Sequence, residues 1–355
     1  MLVPAAALRR RLATSSVRAH DNPLVSPVCT PSHAPLTAHR IPQGLPRRDH
    51  SPAPQMPRRG GPPQKRAIPH VARVLAVASG KGGVGKSTVA VNLAFALAMH
   101  RDPARPDARP RVGILDLDVF GPSVPTLMGL AAADEPRLTP AGALVPLVNH
   151  GLPCMSMGFL LPRAPASGSS ADTPVVWRGL MVQKAVQQLL FDVDWRSGSG
   201  DGAGSGPGLD VLVLDMPPGT GDVPLTLGQL VNVDGAVIVS TPQDVALADV
   251  RKGVAMFQKL SVPIIGLLLN QAHFICPTCT TPHALFGPPE AFRAVAARAG
   301  VPVLGELPLV PGVSAGSDRG VPFALLGDVN ADAGGAREWR DTMRAVAAQV
   351  WRTLT

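Results

Sequence analysis

The chain has 355 residues, 45% hydrophobic and 16% charged, enough to bury one large α/β core or two smaller ones. Its net charge of +8 is concentrated in residues 1–70, where ten Arg and one Lys face only Asp21 and Asp49. The remainder is close to neutral, which argues against a nucleic-acid partner for the folded part. Four cysteines, Cys29, Cys154, Cys276 and Cys279, are too few and too unevenly spaced for a disulfide framework. No apolar run reaches the length of a membrane span, so membrane contact is peripheral at most.

Residues 1–20 are rich in Arg, Ala, Ser and Leu and contain no acid, the composition of an organellar transit peptide. Residues 21–70 hold a dozen prolines and read as a disordered linker, with the folded domain expected over 71–355. The apolar run 74–78 then leads into Ser79-Gly80-Lys81-Gly82-Gly83-Val84-Gly85-Lys86-Ser87-Thr88, and residues 89–97 follow with a helical pattern. This is a strand, a phosphate loop and a helix, with the spacing G-x-x-x-x-G-K-[ST] from Gly80 to Ser87. Glycines let the loop turn its N–H groups toward an anion and the helix start adds its dipole. Lys86 is placed to reach the β and γ phosphates of ATP, and Ser87 to hold Mg²⁺.

The proline-rich stretch 101–110 predicts an exposed connection. Val112-Gly113-Ile114-Leu115-Asp116-Leu117-Asp118 is a strand whose two carboxylates, two apart, are expected on one side at the edge that faces the phosphates. Residues 151–159 form a further strand, in which Cys154 reads as a small buried hydrophobe. A helix is predicted over 182–191, and the Gly/Ser run 197–208 is a flexible insertion. Leu209-Asp210-Val211-Leu212-Val213-Leu214-Asp215 is an apolar strand ending in an acid, the Walker B pattern, so Asp215 is a second candidate for Mg²⁺. Strands over 236–243 and 262–270 flank a helix over 245–260. Strands alternating with helices, without runs of hairpins, predict an α/β fold with a doubly wound, mostly parallel sheet.

Beyond Asn270, Cys276-Pro277-Thr278-Cys279 places two thiols in a turn, with His273 and His283 nearby. Two thiolates chelate one metal, but a closed tetrahedral site or a four-iron cluster takes four ligands. Three chemistries compete: a 4Fe-4S cluster completed by a second chain, a Cys2His2 zinc site with His273 and His283, and a redox pair, which would want a thioredoxin-like context absent here. A purely structural pair is the alternative to all three.

A second lysine inside the phosphate loop, Lys81, makes the chain resemble the deviant Walker A ATPases of the MinD/ParA superfamily. Met216-Pro217-Pro218-Gly219-Thr220-Gly221-Asp222 narrows the resemblance to the Mrp/ApbC-like iron-sulfur scaffolds. Trp177-Arg178-Gly179-Leu180-Met181, Phe286-Gly287 and Gly305-Glu306-Leu307-Pro308-Leu309 extend it over about residues 70–350. The leader, and the lack of a four-cysteine N-terminal cluster, point within that group to the mitochondrial nucleotide-binding-protein-like branch that serves respiratory complex I. The chain departs from the family at Leu269-Asn270-Gln271-Ala272, where a Glu-Asn-Met-Ser run is common.

The resemblance implies a homodimer closed around ATP, with Lys81 reaching the partner's nucleotide, Asp118 polarising the attacking water and Asn270 reading adenine. It also implies a labile 4Fe-4S cluster on Cys276 and Cys279 of both chains, delivery to apoproteins such as complex I subunits, slow regulatory hydrolysis, and residence in the mitochondrial matrix. The competing reading is a MinD/ParA-type positioning ATPase, acting on a membrane or DNA through the mixed-charge helix expected over 336–351.

Overall fold

The computed structural model describes residues 65–102, 109–119, 121–160, 179–196, 206–327 and 334–355. The chain divides into two units, 1–59 and 60–355, and every described residue belongs to the second. The transit segment 1–20, linker residues 21–64, residues 197–205 of the insertion and Trp177-Arg178 lie outside the described residues. Residues 65–70, assigned to the linker by their prolines, are part of the fold. The Arg66 N–H donates to the Leu230 carbonyl (2.9 Å), its guanidinium lies 3.5 Å above the Phe191 ring, and Ile68 is buried.

Strand β1 (Val71–Ser79) is buried from Val74 onward, as befits a parallel strand covered on both faces. Helix α1 (Lys86–Ala98) follows the phosphate loop and is buried from Val89 to Leu97, so it is a core helix and not an amphipathic surface one. Next come β2 (Val112–Asp116), the single turn α2 (Val124–Leu127), the short pair β3 (Leu147–Asn149) and β4 (Leu152–Ser156), and α3 (Gly179–Phe191). The chain continues through β5 (Leu209–Asp215), α4 (Asp222–Leu230), β6 (Gly235–Ser240), α5 (Asp244–Lys259) and β7 (Ile264–Leu269). A small hairpin, β8 (Phe274–Ile275) and β9 (Pro282–His283), precedes α6 (Pro289–Ala299), β10 (Val303–Glu306), α7 (Pro311–Asp318) and α8 (Ala336–Leu354).

Eight strands form one sheet in the order β10-β7-β6-β1-β5-β2-β4-β3, parallel throughout except for β3 against β4. From β1 the chain crosses past β5 to reach β2, whereas β5, β6 and β7 succeed one another in the opposite direction. Right-handed crossovers therefore put α1 on one face and α4 and α5 on the other. The packing follows this division, α8 lying against α1 and α6 against α5. The phosphate loop leaves β1 at that switch point, where open α/β sheets bind ligands. Helix α8 buries Trp339, Met343, Val346, Val350 and Trp351, so the apolar stripe of the mixed-charge helix is occupied by the core. Among the described residues no helix is long and apolar enough to cross a membrane.

Candidate functional site

The loop between β1 and α1 reverses the chain through two glycines in the left-handed region, Gly83 (φ 80°) and Gly85 (φ 79°). Gly85 is the N-cap of α1. No side chain caps it and no acid stands in the first turn, so the helix start is left to an anion. A cavity of about 440 Å³ opens over it, lined by Lys81, Gly82, Gly83, Gly85, Lys86, Ser87 and Thr88 of the loop together with Asp118 and Asn270. Val313, Ser314, Ser317 and Asp318 of α7 close the far side. Of residues 79–88, two do not line it. Gly80 packs against Asp249 of α5, and Val84 is buried beneath the loop.

Below the cavity the parallel register sets Asp116 of β2 beside Asp215 of β5. Both are fully buried, and Lys86 is nearly so. The Lys86 ammonium donates to Asp215 Oδ1 and to Ser87 Oγ (3.1 Å). Asp215 Oδ2 is buried without a hydrogen-bond partner. Burial pushes the Asp215 carboxyl up from the ordinary carboxylate range, against the pull of Lys86. Asp116 is pushed up to about 7, first by burial and then by the charge of Asp215. Two carboxylates thus share one lysine. A serine hydroxyl and a buried carboxylate with one orphaned oxygen are hard-oxygen donors of the kind Mg²⁺ takes, so the residues fit that ion.

Asp116 and Asp118 both lie close enough to Asp215 to act on its charge, but Asp116 is fully buried and Asp118 only partly. The strand ends at Asp116, whose carboxylate accepts the Asp118 N–H (2.9 Å), the Val124 N–H (3.3 Å) and the Ser156 hydroxyl (3.0 Å). Asp118 continues past the strand end to the cavity wall. Asn270, at the end of β7, donates its amide to the Val84 carbonyl (2.9 Å), and a Cβ at Gly85 would run into that same amide. Asn270 therefore props the phosphate loop from below as well as facing the cavity. The contribution of α7 to the cavity wall was not legible in the sequence, because Val313, Ser314, Ser317 and Asp318 stand in no recognisable motif.

Four residues after Asn270 begins the β8–β9 hairpin, with Phe274 opposite His283 and Ile275 opposite Pro282. Its loop is closed by Cys276 N–H to Thr281 O (3.1 Å) and Thr280 N–H to Cys276 O (2.9 Å). The donor atoms of Cys276, Cys279 and His283 all lie within 4.8 Å of one another. His273 is not among them, its Nε2 lying 3.3 Å from Glu338 of α8. The hydroxyl and amide of Thr281, the Cys276 thiol and the His283 ring hydrogen-bond the Cys279 sulfur and lower its thiol to about 6. Cys154 is the opposite case, pushed up to about 12 by burial and by the charge of Asp116. Cys29 lies outside the described residues.

A phosphate loop at the switch point of a doubly wound parallel sheet, with a second lysine inside the loop, defines a P-loop NTPase of the deviant Walker A class. Residues 70–346 match the family described as ParA: NUBPL iron-transfer P-loop NTPase, and the chain belongs to it. The iron-sulfur cluster transfer protein NUBPL of Mus musculus is 47% identical over 265 residues, which cover 75% of this chain and 74% of that protein. The iron-sulfur protein required for NADH dehydrogenase, mitochondrial, of Arabidopsis thaliana is 45% identical over 266 residues, 75% of this chain and 76% of that one. Among solved structures, a nucleotide-binding protein of Archaeoglobus fulgidus in complex with ADP, with cobalt found in it, superposes with a TM-score of 0.55 at 33% identity. It covers 71% of this chain and 87% of its own.

Proposed function

We propose that the chain is an ATP-dependent iron-sulfur cluster carrier that holds a labile 4Fe-4S cluster between two copies of itself and delivers it to apoproteins, complex I subunits among them. The observation that carries this reading is the placement of Cys276 and Cys279 on a hairpin that begins four residues after Asn270, the residue that props the phosphate loop. The names of the mouse and Arabidopsis relatives support cluster transfer and service to mitochondrial NADH dehydrogenase. Together with the acid-free leader they support residence in the mitochondrial matrix.

In this reading the loop N–H groups and Lys86 bind the phosphates, and Lys86 exchanges its contact with Asp215 for them. Lys81 neutralises phosphate charge across the dimer. Ser87 and Asp215 would hold Mg²⁺, which would supply positive charge to offset the charge that develops during phosphoryl transfer. Asp118 orients the attacking water, and Asn270 adds a contact to the adenine edge. Hydrolysis is slow and regulatory, opening or closing the dimer around its cargo. One chain brings two of the four thiolates that the cluster takes, so release and closure are linked by stoichiometry.

The test is delivery of a reconstituted cluster from the full chain to an apo-ferredoxin, with and without ATP. Lys86→Ala should abolish the nucleotide dependence. Unchanged ATP-dependent delivery in that variant would overturn the reading.

A further inference from the structure

We propose that a second cavity, beside the cysteine turn, is the docking site for the acceptor apoprotein, taking from it an apolar side chain flanked by a carboxylate. The cavity measures about 490 Å³. The hairpin forms one wall, α7 another, and the chain from Phe323 to Gly327 with the first turns of α8 the rest. The proposal rests on the carrier reading, because only a carrier has an acceptor to seat.

Its place in the fold is the first argument. Ile275 and Pro277, the two chain neighbours of Cys276, both line it, so whatever fills it is held against the cysteine turn. Cargo held by thiolates passes only to ligands that can reach it, and an acceptor seated here is within reach. On the other side, α7 turns Ser314 and Ser317 to the nucleotide cavity and Gly312 and Arg319 to this one, while Val310 lines both. One helix thus stands between the nucleotide and the docked protein.

The chemistry of the lining says what fits. Phe323 and Ala336 are buried, and Ile275 and Leu326 half-buried, which gives an apolar floor. Among the described residues two arginines line the cavity and no carboxylate does. Arg340 is buried, with its guanidinium 5.6 Å from the Phe323 ring, and belongs to the fold. Arg319 is exposed at the rim, where its Nε–H donates to the Ala315 carbonyl (3.0 Å) and, in the contacts described, its guanidinium meets no carboxylate. An apolar centre with a charged rim is the anatomy of a protein interface. A small anion would meet the cation and leave the floor uncovered, whereas an apolar side chain beside an acid satisfies both.

The experiment is fluorescence anisotropy of a labelled, acidic apo-ferredoxin titrated with the cluster-free full chain in ATP, followed by cluster delivery to the same acceptor. Binding to the parent chain should weaken as salt screens the rim charge. Arg319→Glu should weaken it about fivefold and reverse that salt dependence, while Arg319→Lys should retain most of it. Leu326→Ala, checked for fold by circular dichroism, should also weaken it about fivefold but keep the salt dependence of the parent chain. In delivery, both losses should appear as a raised KM for the acceptor at unchanged kcat, with nucleotide affinity and cluster content unaltered.

Parent-like binding in both Arg319→Glu and Leu326→Ala, or no binding of apo-ferredoxin by the parent chain, would overturn the proposal. So would loss of the dimer in Arg319→Glu by light scattering, which would assign the cavity to a second copy of the chain. Normal cluster delivery with an unaltered KM in both variants rejects the docking site alone. Arg319-dependent binding of apo-ferredoxin by a chain that takes up no cluster rejects the carrier reading alone.

Discussion

Lys86 is the only cation placed on the two buried carboxylates Asp116 and Asp215 in the contacts described, and the behaviour of the nucleotide-free chain follows from that ratio. Asp116 has a folded pKa near 7, raised from its ordinary value, so its protonated form favours the fold. Its contribution is complete below about pH 4 and is lost as the pH rises through about 7. The thermal midpoint of the nucleotide-free chain should therefore fall between about pH 5 and pH 8, and a rise over that window would contradict the assignment. Lys86→Ala should steepen the fall, because it leaves both carboxylates without their cation.

The cysteines give a second contrast at this scale. Iodoacetamide should modify Cys279 with a half-maximal rate near pH 6 and leave Cys154 untouched in the folded chain, as peptide mass mapping would read. Gly85→Ala should cost about 1–2 kcal/mol of left-handed backbone strain, displace the Asn270 amide and eliminate nucleotide binding, measured by calorimetry.

Among the elements, those with strong signals were legible in the sequence. The buried strands read as short continuous apolar runs, and the phosphate loop as a fixed spacing of Gly, Lys and Ser. Asp116 was legible at its strand end, but its full burial was not, because that depends on the turn that follows. The strand stops at Asp116, and the chain then turns its own N–H groups onto that carboxylate. Ile68 was hidden by neighbouring prolines, and the α7 wall because its Ser314, Ser317 and Asp318 stand in no motif that ties them to a nucleotide.

The amphipathic pattern of α8 was visible, but whether its stripe met a membrane, DNA or the core depended on where the chain ran. It lies on α1, with Trp339 edge-to-face on Phe323 at 5.1 Å. Trp339→Ala should cost about 3–5 kcal/mol in denaturant unfolding, whereas a helix held for membrane or DNA contact would lose little.

At the scale of the whole molecule, two chemistries stand at one end of one sheet. Oxygen donors and a phosphate loop lie at the switch point, and sulfur donors project on the hairpin that begins four residues after Asn270. The backbone between them is anchored by Ala272 N–H to Leu307 O (2.9 Å) and Leu309 N–H to His273 O (2.7 Å), while Leu309 itself faces the nucleotide cavity. A change at the phosphate loop thus has a short, packed route to the thiols. One chain carries half the cysteines that a four-iron cluster takes, which makes the carrier reading a statement about two copies.

The measurement that tests it most directly is iron and acid-labile sulfide per chain after anaerobic reconstitution, with the mass of the species determined alongside. The account predicts about two irons and two sulfides per chain in a dimer, lost in Cys276→Ala. Zinc alone, no iron in a well-folded nucleotide-binding chain, or iron retained in Cys276→Ala would contradict it.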